Sequence, residues 1–209
     1  MRPSIKKFVK ICGETLPIQE PIYEFGSMQV SGQEGFADLR PYFPGKKYIG
    51  ADMSQGIGVD VILDLHNINL PSESVGTVIS CDTFEHVEYP RKALSEIHRI
   101  LKPNGVLILS SVMLFPIHAA PNDYWRFTPE GFKSLLSHFS SQYIDWNGKE
   151  ENPHTIIGVA MKTDYSFEKL KSRREEWRSI KDTDDSLHKI IFANLANLFA
   201  TLGKVKRGM

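Results

Sequence analysis

The chain has 209 residues, with 25 Lys and Arg against 25 Asp and Glu, so its formal net charge is zero. That balance argues against a nucleic-acid partner held by bulk electrostatics, because neutralising phosphates takes a concentrated positive surface, though it leaves room for a local basic patch. Two distant cysteines exclude a disulfide framework. No window approaches the ~18 apolar residues of a membrane span, and the basic N-terminus lacks the apolar core of a signal peptide, so a cytoplasmic, reduced protein is expected.

Residues 4–12 read as a short helix with Ile5, Phe8 and Val9 on one face. Pro17 and Pro21 lead into a first buried strand, Pro21–Ser27. A polar loop with Gly32 and Gly35 precedes a brief helical stretch at Phe36–Leu39, ended by Pro41, Pro44 and Gly45. Two more strand patterns follow, Lys47–Asp52 and the short Val59–Leu65. After the loop Pro71–Ser74, a fourth apolar run, Val75–Cys81, delivers Asp82-Thr83-Phe84-Glu85-His86. Tyr89–Leu101 is the clearest helix, with Pro90 in its first turn and Leu94, Ile97 and Leu101 on one face. Pro103-Asn104-Gly105 turns the chain into the strongest strand, Val106–Val112. Thr128 caps a further helix whose core face is Phe132, Leu135, Leu136 and Phe139. Strands near Gln142–Trp146 and Thr155–Lys162, joined through Lys149–Pro153, read as an antiparallel hairpin. Leu170, Trp177 and Ile180 then mark one helix and Leu187–Leu202 another.

This alternation predicts an α/β fold: a Rossmann-like, doubly wound, mostly parallel sheet with an antiparallel edge hairpin, plus C-terminal helices. The boundaries expected are 1–165 for the main domain and 166–209 for a helical extension. In such sheets ligands bind outside the carboxyl ends of the strands, which places Glu24, Gly26, Asp52 and Asp64 in one crevice. The turn Gly26-Ser27-Met28-Gln29-Val30-Ser31-Gly32 lacks the G-x-G-x-x-G of a dinucleotide site, and no G-x-x-x-x-G-K-[ST] occurs. Gly56-Ile57-Gly58 follows the second strand without a helix after it. A cofactor without a pyrophosphate fits better.

Tyr23–Ser27, Tyr48–Asp52, Val61–Leu65, Cys81–Val87 and Leu94–Gly105, in this order, resemble the class I S-adenosylmethionine-dependent methyltransferases, type 11 group. The resemblance covers Ile22 to Phe139. One departure is Met28, standing where the group's first loop carries a second glycine; Gly32 and Gly35 would supply the turn. Met28 is also the one feature favouring a binding or scaffolding module without turnover.

The resemblance implies S-adenosyl-L-methionine as cofactor. Asp52, with Met53 after it, would hold the ribose hydroxyls, and Asp64 with Leu65 would meet the adenine. Gly26 and Ser27 would face the methionine part, and Glu24 would orient their loop by accepting backbone N–H bonds. Cys81, Asp82 and His86 would form the rim near the sulfonium and the adenosine. Asp82, Glu85 and His86 are ligand types that hold divalent cations, but the Glu-His pair is widespread in the group without one, and no metal is expected. Phe115–Phe127 is the expected acceptor loop, with His118, Asp123 and Tyr124 as candidate catalytic groups and His118 as proton acceptor. Its alternative is a packed lid with an Asp123–Arg126 structural ion pair.

The expected reaction is methyl transfer to an O or N atom of a small-molecule, glycan or lipid acceptor. The wide apolar face of Leu187–Leu202 and the basic Lys204–Arg207 call for a partner. The sheet's own helices come first, a homodimer second and a peripheral membrane contact last.

Overall fold

The computed structural model describes residues 1–30, 34–118 and 122–180. Seven strands form one sheet in the order β3-β2-β1-β4-β5-β7-β6. They are β1 (Ile22–Phe25), β2 (Tyr48–Asp52), β3 (Val61–Ile62), β4 (Val75–Cys81), β5 (Leu101–Val112), β6 (Ser141–Lys149) and β7 (Asn152–Met161). The first five run parallel, whereas β7 is antiparallel to both β5 and β6. The late hairpin therefore lies at the edge, with β7 on its inner side.

Helix α1 (Pro3–Thr15) covers one face of the sheet, and α2 (Pro90–Ile100) and α3 (Pro129–Leu135) cover the other. Strand residues alternate between the two faces. Leu107 and Leu109 of β5 join the α2/α3 core, while Val106 and Ile108 join the α1 core. Ala93, Leu94, Ile97 and Ile100 are the buried stripe of α2. The Thr128 side chain accepts the Gly131 N–H at 3.0 Å, and Phe132, Leu135, Leu136 and Phe139 are all buried, as the spacing predicts.

Three local expectations change. The helix at Phe36–Leu39 is absent; turns give way to a one-turn 3-10 helix at Arg40–Tyr42, because Pro41, Pro44 and a left-handed Gly45 (φ +73°) leave no room for longer helical pairing. The third strand shrinks to Val61–Ile62, since the acids on either side bond elsewhere: Asp60 accepts from Gly50 N–H and Arg40, and Asp64 from His66. Leu101 already belongs to β5 through its pairing with Val75, and Lys102–Gly105 are absorbed in a register shift before Thr77 meets Val106.

Beyond β7, the single helix expected over Leu170–Ile180 is two short helices, α4 (Glu168–Lys171) and α5 (Glu175–Arg178). Leu170 and Trp177 are buried, and Trp177 meets Phe8 of α1 edge-on at 5.4 Å. Arg174 and Arg178 both pair with the buried Asp145 of β6. The predicted helix Leu187–Leu202 and the basic end Lys204–Arg207 lie outside the described residues. No helix among the described residues is long and apolar enough to cross a membrane.

Candidate functional site

The carboxyl ends of β1, β2, β4 and β5 bring together the acids the sequence singles out. At the end of β1, Gly26 has φ +80°, and a Cβ there would stand 2.1 Å from Thr83 Oγ1, so only glycine fits. Its N–H and that of Ser27 both donate to Ala51 O, tying the loop to β2. Ser27 is buried, with its hydroxyl 3.3 Å from Ala51 O. Glu24 is buried too, and it accepts a 2.7 Å bond from the Tyr48 hydroxyl rather than from loop N–H groups. Burial pushes its carboxyl up to about 7, against the opposing effect of that bond.

The missing glycine of the first loop reappears across from it. Met28 packs its thioether against Gly56, where a Cβ would sit 2.7 Å from Met28 Cγ. At Gly58 a Cβ would lie 2.6 Å from Ser27 O, and at Gly50 it would meet Gly58 O at 2.0 Å. Gln29 N–H donates to Ile57 O at 2.9 Å. The Gly56-Ile57-Gly58 turn is thus the mating surface of the first loop.

At the tip of β2, Asp52 accepts from Ser54 N–H at 3.0 Å and Met28 N–H at 3.3 Å, one bond per oxygen. Each oxygen keeps a second lone pair, enough for two donated hydroxyl bonds, so the donor chemistry fits a ribose. Met53 follows it and is exposed. Asp64 takes both bonds from His66 on one oxygen, leaving the other for an amine. Burial opposes ionisation there, but the His66 bonds outweigh it and hold the carboxyl below its usual range. Leu65 beside it is buried in the α2-side core.

At the end of β4, Cys81 is buried and its thiol is pushed well up by desolvation. Asp82 has φ +52°, a left-handed conformation that a residue with a Cβ seldom adopts and that concentrates at functional sites. Its N–H donates to Ser110 O at 3.0 Å, and its carboxylate pairs with Arg2 at 2.9 Å. Glu85 is 1% exposed, accepts a 2.6 Å bond from Ser111, and is pushed up to about 7, chiefly by burial and then by the charge of Asp82. The Nδ1 of His86 meets Asn122 O at 2.5 Å, and burial holds its imidazole below the usual value.

The loop after β5 folds back onto this rim. Tyr124 and Trp125 donate their backbone N–H groups to Glu85 O, the Trp125 indole donates to Val87 O, and Phe127 N–H donates to Val112 O. Arg126 is its staple, donating to Phe115 O, Pro116 O and both oxygens of Asp123. That bidentate pair, with help from the His118 N–H, holds the Asp123 carboxyl well below the usual range. His118 Nδ1 lies 3.2 Å from Asp123 Oδ2 and 3.2 Å from Pro116 O, and the His118 ring meets His86 edge-on at 4.8 Å. The structure therefore brings His118 and Asp123 together with His86 and Glu85. Tyr124 is half-exposed, and its hydroxyl accepts from the Asn122 amide.

Sequence reading missed Arg2, Arg40 and the part played by Glu85. Arg2 looked like a generic basic N-terminus, yet its guanidinium reaches Asp82 and lies 5.5 Å from the Phe115 ring. Arg40 ties Gly58 O and Asp60 beneath the β2 loop. Neither long-range partnership leaves a local sequence signal. Two surface hollows of about 200 and 400 Å³ lie elsewhere, lined by His98 and Phe139 and by Asp145 and Trp146, so the chemistry of the strand ends marks the site.

Residues 37–109 match a family described as a methyltransferase domain. No curated protein matches the chain. A S-adenosylmethionine-dependent methyltransferase from Archaeoglobus fulgidus superposes with a TM-score of 0.59 at 16% identity, covering 77% of this chain and 94% of that one. A possible histamine N-methyltransferase from Thermotoga maritima gives 0.56 at 17% identity, over 77% and 91%. The 1,6-didemethyltoxoflavin-N1-methyltransferase of Burkholderia thailandensis, solved with S-adenosylhomocysteine, gives 0.54 at 14% identity, over 78% and 80%. The domain match spans residues 37–109, and the sheet is the fold these S-adenosylmethionine-dependent methyltransferases share, so the chain carries a methyltransferase-like domain whose strand-end carboxylates suit that cofactor.

Proposed function

We propose that the chain methylates an oxygen or nitrogen atom of a small-molecule, glycan or lipid acceptor, with His118 taking the acceptor's proton. The observation that carries this reading is the placement of His118 Nδ1, 3.2 Å from both Asp123 Oδ2 and Pro116 O. Both oxygens are acceptors, so they favour the tautomer with the proton on Nδ1, which leaves the Nε2 lone pair to accept a proton. The ionised Asp123, clamped by Arg126, stabilises the imidazolium that forms and acts as a positioning residue.

The bound cofactor supplies an electrophilic methyl group. The chain's task is to place the acceptor atom in line with it and to exclude water. Asp52 and Met53 are assigned to the ribose and Asp64 with Leu65 to the adenine. Gly26 and Ser27 line the methionine side, with Glu24 setting β2 against β1 through Tyr48. Cys81, Asp82 and His86 form the floor between cofactor and acceptor. Tyr124, on the outer side of the loop, contacts the acceptor body.

The test is labelled-methyl transfer to fractionated cell extract by the wild type and His118→Gln, alongside calorimetry of cofactor binding. Loss of a positioned base lowers transfer by about 10²–10⁴-fold. Cofactor affinity should stay unchanged. Undiminished transfer by the variant, or a parallel loss of folding stability and activity, would overturn the assignment.

A further inference from the structure

Glu85, His86 and His118 each offer a ligand atom within 4.8 Å of the other two. His118 comes from the β5 loop, which folds back through the Tyr124 and Trp125 N–H bonds to Glu85 O. We infer that these residues bind one divalent transition-metal ion of the zinc class, a site made of two imidazoles and one carboxylate.

Three observations support it. First, both imidazoles have their Nδ1 turned to a carbonyl oxygen, Asn122 O for His86 and Pro116 O for His118, and the latter also faces Asp123. Metal-bound histidines almost always donate their second ring N–H in this way, which fixes the ring and leaves Nε2 for the ion. Second, Glu85 is a buried carboxylate that accepts from the Ser111 hydroxyl and its own backbone N–H, which still leaves lone pairs that a cation would satisfy. Third, charge permits a cation. Asp82, Glu85 and Asp123 stand against Arg2 and Arg126, which leaves one carboxylate in excess when all are ionised. Asp82 lies outside this group of convergent ligand atoms, and its Oδ1 is held by Arg2 and Ser110.

Ligands about 2.0–2.1 Å from a tetrahedral ion lie about 3.3 Å apart. With every pair already within 4.8 Å, closing to that spacing takes at most about 1.5 Å. Imidazole with carboxylate suits Zn²⁺, Co²⁺ and Fe²⁺ over Mg²⁺ or Ca²⁺, which prefer all-oxygen shells. Three protein ligands leave a coordination position open. Resting on the assignment of His118 as the base, a loaded ion would occupy the nitrogen that takes the proton, so metal-loaded protein would be inactive in transfer.

The test uses full-length chelator-treated protein, without cofactor or acceptor, titrated with Co²⁺ by visible absorption and with Zn²⁺ by calorimetry. One equivalent should bind with tetrahedral d–d bands. His86→Gln and His118→Gln should each weaken binding at least tenfold while circular dichroism and melting stay like wild type. Binding without saturation at one equivalent, or binding indifferent to both substitutions, would overturn the site. A variant that unfolds is replaced by the corresponding asparagine variant, read by the same criteria. Transfer is then measured with saturating Zn²⁺; undiminished transfer would overturn the inhibitory part. Because binding is read without turnover, its failure leaves the role of His118 as base standing, and failure of that role leaves the binding result standing.

Discussion

Glu24→Gln separates a carboxyl buried neutral from one buried charged. Glu24 is 5% exposed, and its carboxyl is pushed from an ordinary 4.5 up to about 7, mainly by burial. The sign follows from proton binding. Between these two values the folded chain holds a proton that the unfolded chain releases, so the stability from neutral Glu24 is complete below about 4.5 and is lost as pH rises through about 7. At about 1.4 kcal/mol per pH unit, the loss reaches roughly 3 kcal/mol by pH 9. Glutamine matches the shape, never ionises, and keeps an oxygen for the Tyr48 hydroxyl. Urea unfolding of wild type and variant at pH 5, 7 and 9 should show the variant gaining on wild type by roughly 2.5 kcal/mol across the range, most of it between pH 5 and 7. Glu85, also pushed to about 7, gives both proteins a common residual slope. A constant difference between the two proteins at all three pH values would refute the reasoning.

Asp52→Ala should weaken cofactor binding by about 1–3 kcal/mol, roughly 5- to 150-fold, the cost of losing charge-assisted hydrogen bonds; unchanged affinity by calorimetry would remove Asp52 from the site. Gly26→Ala places a methyl 2.1 Å from Thr83 Oγ1 at φ +80° and should destabilise the chain by more than the ~1–2 kcal/mol of the left-handed conformation alone. Adding Thr83→Ala should relieve the clash component and leave the backbone component, a partial rescue visible in thermal melts; no rescue would show that Thr83 is not the obstacle.

The sheet was legible because buried strands leave local marks. Val75–Cys81 is apolar throughout, and its bounds are those observed. Thr128 with Pro129 and Glu130 marks a helix start by capping chemistry alone. Legibility fails where a residue's partner is distant in sequence. Asp60 interrupts β3 by bonding to Arg40 and Gly50, 20 and 10 positions away, so an apolar alternation overstates the strand. The pairing of Arg2 with Asp82 spans 80 positions, and His86 meets His118 only because β4 and β5 are neighbours. Asp123–Arg126 was visible as an ion pair, whereas its service to His118 needed the folded loop.

The interlocking of Met28 with Gly56 makes the two loops one fitted unit. A Cβ at position 56 would stand 2.7 Å from Met28 Cγ and 2.9 Å from its sulfur, so a side chain there fits only if position 28 shrinks or its thioether swings away. A graft that brings a side chain to position 56 while Met28 stays in place will misfit however well each loop suits its own strand.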